Sequence, residues 1–162
     1  MTSVELRPWE REWAGHVGLK RHEANLQKRD AAYYDPARMQ DNLTASIASA
    51  CAEIAVAKRL NKYWDGSFWT AAEHDLYRDG PDLGENTEVR RVRARGNPLP
   101  VRKRDVERER IMVLAFPVPD EFVLVEVIGW GFAVDLWEQG RPADYDKDGT
   151  TRLVPQKVLF PL

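Results

Sequence analysis

Two carboxylates and a cation stand close together in Pro81-Asp82-Leu83-Gly84-Glu85-Asn86-Thr87-Glu88-Val89-Arg90. Strand side chains repeat every second residue, so a strand through Val89 puts Glu88 and Arg90 on one face. Asp82 could not meet Glu88 along a straight strand, where six steps cover ~20 Å at roughly 3.3 Å each. The Gly84-Glu85-Asn86 turn supplies the fold-back, because glycine tolerates positive φ and asparagine accepts left-handed geometry. Two carboxylates brought together repel, and a hard divalent cation held by oxygens relieves the repulsion. Such a pair beside a guanidinium has the parts that metal-assisted phosphodiester hydrolysis needs: charge to activate water and charge to offset the phosphoryl oxygens. A plain hairpin with solvated charges would use the same residues, so the surrounding elements have to decide.

Those elements belong to a chain of 162 residues, read most simply as one domain, 1–162, able to bury a sizeable core. Hydrophobic content of 43% and charged content of 31% fit a soluble globular protein. No apolar run approaches the ~20 residues of a membrane helix, and the charged N-terminus does not read as a signal peptide. The single cysteine, Cys51, excludes an internal disulfide and a cysteine-based zinc site, and suits a reducing cytoplasm. Net charge is −2, but residues 90 to 110 hold nine arginines and lysines against three acids. This local basic zone is a candidate phosphate-facing surface, or else a solvated face.

In chain order, residues 3 to 7 read as an edge strand. Trp9 to about Arg29 reads as a helix with Trp9, Trp13, His16 and Val17 on one face. A break follows at 31–38, where Tyr33 and Tyr34 could pack or stack on bases and Asp35-Pro36 can begin another helix. Asp41 or Thr44 can cap the next helix, which runs to about Lys62 on a stripe of Leu43, Ile47, Ala50, Cys51, Ile54 and Ala57. Glu53 falls on the rim of that stripe. Trp64-Asp65-Gly66 turns the chain, and Ser67 to Ala72 reads as a strand. Glu73-His74-Asp75 lacks a second histidine at zinc spacing, although the polar loop from Asp75 to Gly80 could carry an auxiliary ligand. Strands at 87–92 and 99–102, a short helix at 104–110, and strands at 111–118 and 122–128 complete the pattern. Asp144-Tyr145-Asp146-Lys147-Asp148-Gly149 imitates an EF-hand opening, but its twelfth position is Pro155 and not glutamate, so it reads as a polar turn.

Asp82 followed by Glu88-Val89-Arg90, with Pro81 before the aspartate, resembles the D…(D/E)-x-K signature of the PD-(D/E)XK nucleases, the restriction-endonuclease-like superfamily. The whole chain also resembles a group of uncharacterised bacteriophage proteins with this core. The resemblance implies an α/β fold: a mixed central sheet flanked by helices, with an αβββαβ core at about 40–130, an N-terminal helical addition at 1–39 and a C-terminal extension at 131–162. It implies that Mg²⁺ or Mn²⁺ is held by Asp82, Glu88 and the Val89 carbonyl. Glu53, on the first core helix, would support a ligand water or a second ion. Arg90 stands where the family has lysine. It can neutralise a scissile phosphate but, staying protonated, cannot act as a base.

The function expected on this basis is metal-dependent hydrolysis of DNA phosphodiester bonds, with Glu53, Asp82, Glu88 and Arg90 as the catalytic set. Arg91, Arg93, Arg102, Lys103 and Arg104 would contact the nucleic-acid backbone. The alternative is a catalytically lapsed nuclease fold that binds nucleic acid or a protein partner. A homodimer is compatible with either. The expected location is the cytoplasm, the host's if this is a phage protein.

Overall fold

The computed structural model describes residues 1–28, 39–73, 76 and 79–162. Tyr33, Tyr34, the helix start at Asp35-Pro36, the side chain of Asp41, and His74 and Asp75 lie outside the described residues. The elements are β1 (Thr2–Glu5), α1 (Pro8–Lys28), α2 (Met39–Arg59), β2 (Thr87–Arg91), β3 (Leu99–Arg102), α3 (Lys103–Glu107), β4 (Ile111–Pro117), β5 (Leu124–Phe132), α4 (Ala133–Gln139), β6 (Arg141–Pro142) and β7 (Thr151–Val154), with a 3₁₀ turn at Gln156–Val158.

Four strands form the main sheet in the order β1-β5-β4-β2. Strand β5 runs antiparallel to both neighbours, and β2 runs parallel to β4, so the sheet is mixed. The central strand β4 is buried on both faces. Val113 and Ala115 join the cluster under α1 and α2, whereas Met112, Leu114 and Phe116 join a second cluster with Leu99, Val101, Leu136 and Val154. That alternation is the period of two expected of a strand packed on both sides. The second cluster is roofed by α4 and a small antiparallel sheet, β3-β7-β6. An α/β fold with a mixed sheet flanked by helices is therefore present.

The structure departs from the sequence reading in several places. Described residues 67–70 form no strand, and 71–73 turn. The open edge of β2, where such a strand would pair, is occupied by Asp82 and by the Leu83–Thr87 bridge. Strand β3 leaves the main sheet for β7, because β4 takes the place beside β2. The expected αβββαβ order is thus not laid out in one sheet. The N-terminal addition also supplies the edge strand β1, and β5 continues to Phe132. Helix α2 begins at Met39, ahead of both proposed caps, and ends at Arg59.

In α1 the buried face is Glu10, Ala14, Val17, His22 and Ala24, while Trp9 is 54% exposed and His16 is exposed. The packing of the two helices selects this face: an added Cβ on Gly18 would lie 2.6 Å from the Ile47 Cα. The backbones of α1 and α2 are too close there for any side chain.

Candidate active site

Helix α2 carries eight consecutive buried residues, Ala50 to Ala57, with α1 on one side and the sheet on the other. Five of them are alanine or cysteine, which lets both neighbours approach closely. Glu53 lies among them at 5% exposure, deeper than the helix rim predicted for it. A carboxylate buried so far needs partners for both oxygens. Arg21 Nη1 reaches Oε1 at 2.6 Å and Trp64 Nε1 donates to Oε2 at 2.9 Å. Burial opposes the charge on Arg21, yet Glu53 outweighs it and raises the guanidinium above its ordinary pKa.

Asp82 reaches the same neighbourhood through the turn that the sequence predicted. Leu83 N–H donates to the Thr87 carbonyl at 3.1 Å and Thr87 N–H returns a bond to Leu83 at 3.2 Å. Gly84 takes φ +58°, and Leu83 anchors the turn in the core. In β2 the Asn86 carbonyl and the Val92 N–H face β4. Backbone groups alternate sides along a strand, so those of Val89 face the open edge. There Val89 N–H donates to Asp82 Oδ2 at 2.8 Å. The Val89 carbonyl therefore shares this edge with the Asp82 carboxylate.

Burial first, and then the Glu53 and Glu88 carboxylates, push the Asp82 pKa well above the ordinary carboxyl range; the Val89 N–H and Arg90 pull the other way. Acids from α2 and β2 thus both act on Asp82. Asp82 and Glu88 line a cleft of about 700 Å³ that also touches Arg21, Asp65 and Trp69. Asp82 borders a second hollow of about 640 Å³ beside Lys62 and Glu85.

No family model, curated protein or solved structure matches this chain. The geometry of the site must carry the functional argument.

Arg90 is placed differently from a guanidinium waiting for phosphate. Its Nη1 bonds Glu88 Oε1, and its Nη2 lies 3.1 Å from each oxygen of the buried Asp105. Asp105 also accepts the Arg102 N–H at 2.8 Å, fastening the start of α3. Burial opposes the Arg90 charge, but Glu88, Asp105 and Asp82 together raise its pKa. Among the described residues its buried Nε has no hydrogen-bond partner.

The basic zone divides in the same way. Arg95 grips the buried Glu126 at 2.7 and 2.5 Å, Arg108 pairs with Asp79 at 3.0 Å, and Arg104 lies 3.9 Å from Asp79. Arg91 reaches Ser49 at 3.2 Å, and Arg93 is exposed but engaged. Arg102 and Lys103 are exposed and form no salt bridge among the described residues. Partial burial, with Arg90 and Arg104 alongside, holds the Arg102 guanidinium below its ordinary pKa.

Among the described residues, no group of three or more His, Cys, Asp or Glu side chains forms a metal cage. The donor set at the open edge of β2 nonetheless suits a hard divalent cation. It offers two carboxylates and an outward carbonyl, crowded with negative charge around Asp82. Glu53 suits direct ligation less well, since both its oxygens are already engaged.

Arg21, Trp64 and Asp105 belong to this network but were missed in the sequence. Asp105 carried a signal, an acid three residues into a short helix. Arg21 carried none, because only the packing of α1 on α2 brings it to Glu53. The polar turn at 144–149 is self-contained: Asp146 accepts from Asp148 N–H at 3.1 Å and from the Thr150 hydroxyl at 2.9 Å.

Proposed function

We propose that this chain hydrolyses phosphodiester bonds in DNA with the help of Mg²⁺ or Mn²⁺. The observation that supports the reading is that Asp82, hydrogen-bonded to the Val89 N–H at the open edge of β2, lines one cleft with Glu88, with Glu53 near enough to act on Asp82. Glu53 and Glu88 each have an arginine, but among the described residues no salt bridge reaches Asp82. A buried carboxylate beside like charges costs stability that a bound cation would relieve. Asp82, Glu88 and the Val89 carbonyl would hold the cation. In such a place a hard cation supplies positive charge, which eases proton loss from water and offsets charge on phosphate oxygens. Glu53, fixed by Arg21 and Trp64, adds its negative charge to the surroundings of Asp82. Among the described residues of the basic zone, Arg102 and Lys103 are the cations left open for backbone phosphates. No helix among the described residues is long and apolar enough to cross a membrane.

A second reading, a nuclease fold that binds without turnover, is favoured by Arg90. Its guanidinium is engaged by Glu88 and Asp105, so a phosphate would have to compete for it.

The test is Mn²⁺ binding by calorimetry together with nicking of supercoiled plasmid, with EDTA as the blank. Asp82→Ala and Glu88→Ala should each lose metal binding and cleavage while keeping the wild-type circular dichroism. Unchanged Mn²⁺ affinity in both variants would refute the site. Metal binding without cleavage in the wild type would select the second reading.

A further inference from the structure

The part of the basic zone that does not face solvent has another use. Arg110 is 7% exposed and no carboxylate pairs with it among the described residues. Its Nη2 donates to the Asp79 carbonyl at 2.6 Å and its Nη1 to the Glu85 carbonyl at 3.4 Å. These two carbonyls stand on opposite limbs of the loop whose middle is Asp82. The next residue continues the seam, with Ile111 N–H donating to the Asn86 carbonyl at 2.9 Å. Arg110 is itself fixed at both backbone groups: its N–H donates to the Asp105 carbonyl and its carbonyl accepts from Ala133 N–H, each at 2.9 Å. Arg108 adds a grip on the Asp79 carboxylate.

A buried guanidinium met only by carbonyls is a poor choice for stability, since an apolar side chain of similar volume often serves as well or better. Its planar fork is well suited to spanning two acceptors, and lysine cannot reproduce that. A metal or catalytic carboxylate must be held within about 0.5 Å of its working place. Resting on the nuclease reading above, the geometry points to Arg110 as a positioning residue that closes the 79–86 loop and so sets Asp82 against Glu88.

The experiment compares wild type with Arg110→Met and Arg110→Lys by amide hydrogen exchange, Mn²⁺ affinity from electron paramagnetic resonance, and thermal melting. With the clamp gone, Arg110→Met should melt cooperatively, exchange Leu83 and Thr87 amides at least tenfold faster, and bind Mn²⁺ at least tenfold more weakly. Amides of β4 and β5 should keep their protection. Arg110→Lys, with the charge but not the fork, should fall between the two. Wild-type loop exchange and wild-type affinity in Arg110→Met would overturn the proposal. If that variant fails to fold, wild-type exchange in Arg110→Lys would overturn it instead. Asp82→Ala serves as the control on the site itself. Should it leave Mn²⁺ affinity unchanged, the nuclease reading falls while loop exchange still judges the clamp.

Discussion

Asp82 works against the stability of the protein that carries it. Its folded pKa lies above the unfolded value of about 3.9, so the native state holds its proton more tightly. The sign follows: Asp82 lowers stability as pH rises from the unfolded pKa through the folded one, and the full loss is present above it. Asp82→Asn should therefore melt several degrees higher than wild type at pH 8, with the gap closing towards pH 4. Added Mn²⁺ should raise only the wild-type transition. Differential scanning fluorimetry across this range checks both parts. Arg90 makes the opposite case. A lysine here cannot hold both oxygens of Asp105 while reaching Glu88. Arg90→Lys should cost roughly 1–3 kcal/mol in urea unfolding, the range for a charged hydrogen bond removed at a buried partner. An unchanged midpoint would free Arg90 for a role at the phosphate. Cys51 is 1% exposed, and burial pushes its thiol up to about 12. It should resist iodoacetamide in the native state and react once unfolded, a result readable by mass spectrometry.

At the scale of elements, the packing of α1 on α2 decides where Glu53 finds its counter-ion. Gly18 sits one helical turn before Arg21, and the Ile47 backbone occupies the place of its missing side chain. Gly18→Ala should destabilise by about 1–3 kcal/mol, as overpacking does, and should loosen the Arg21–Glu53 pair with it. Thermal melts and the NMR resonance of the Trp64 indole N–H, which donates to Glu53, report the two effects separately. Much of this architecture was legible in the sequence. The helical stripe of α2, the motif strand β2, the Gly84 turn and the buried run of β4 follow from periodicity and turn chemistry, which are local. Strand pairing is not local. Nothing in Leu99–Arg102 says that it will join β7, and the aromatic run at 67–70 has strand composition without a free edge to join. The site divides along the same line. Asp82 and Glu88 could be read from spacing, whereas Arg21 and Arg110 join them only through packing between distant segments.

Over the whole molecule, a net charge of −2 conceals how little of the basic segment is free. Most of its arginines serve internal acids or carbonyls, leaving Arg102 and Lys103 as the open pair. Replacing both with alanine should weaken DNA binding across all sequences. It should also lower the slope of log affinity against log salt by about 2, near one unit for each phosphate left without its cation. Fluorescence anisotropy from about 50 to about 200 mM salt measures it, and an unaltered slope would remove these residues from the interface. The edge of the main sheet has a different consequence, one of timing. Strand β1 pairs with β5 from Thr2↔Val127 to Glu5↔Leu124, and Leu6 N–H donates to the Val123 carbonyl at 2.8 Å. During synthesis Thr2–Glu5 emerges long before its partner exists, and its backbone groups spend that interval bonded to water. The edge of the sheet is thus completed by a segment that is made before its partner and waits for it.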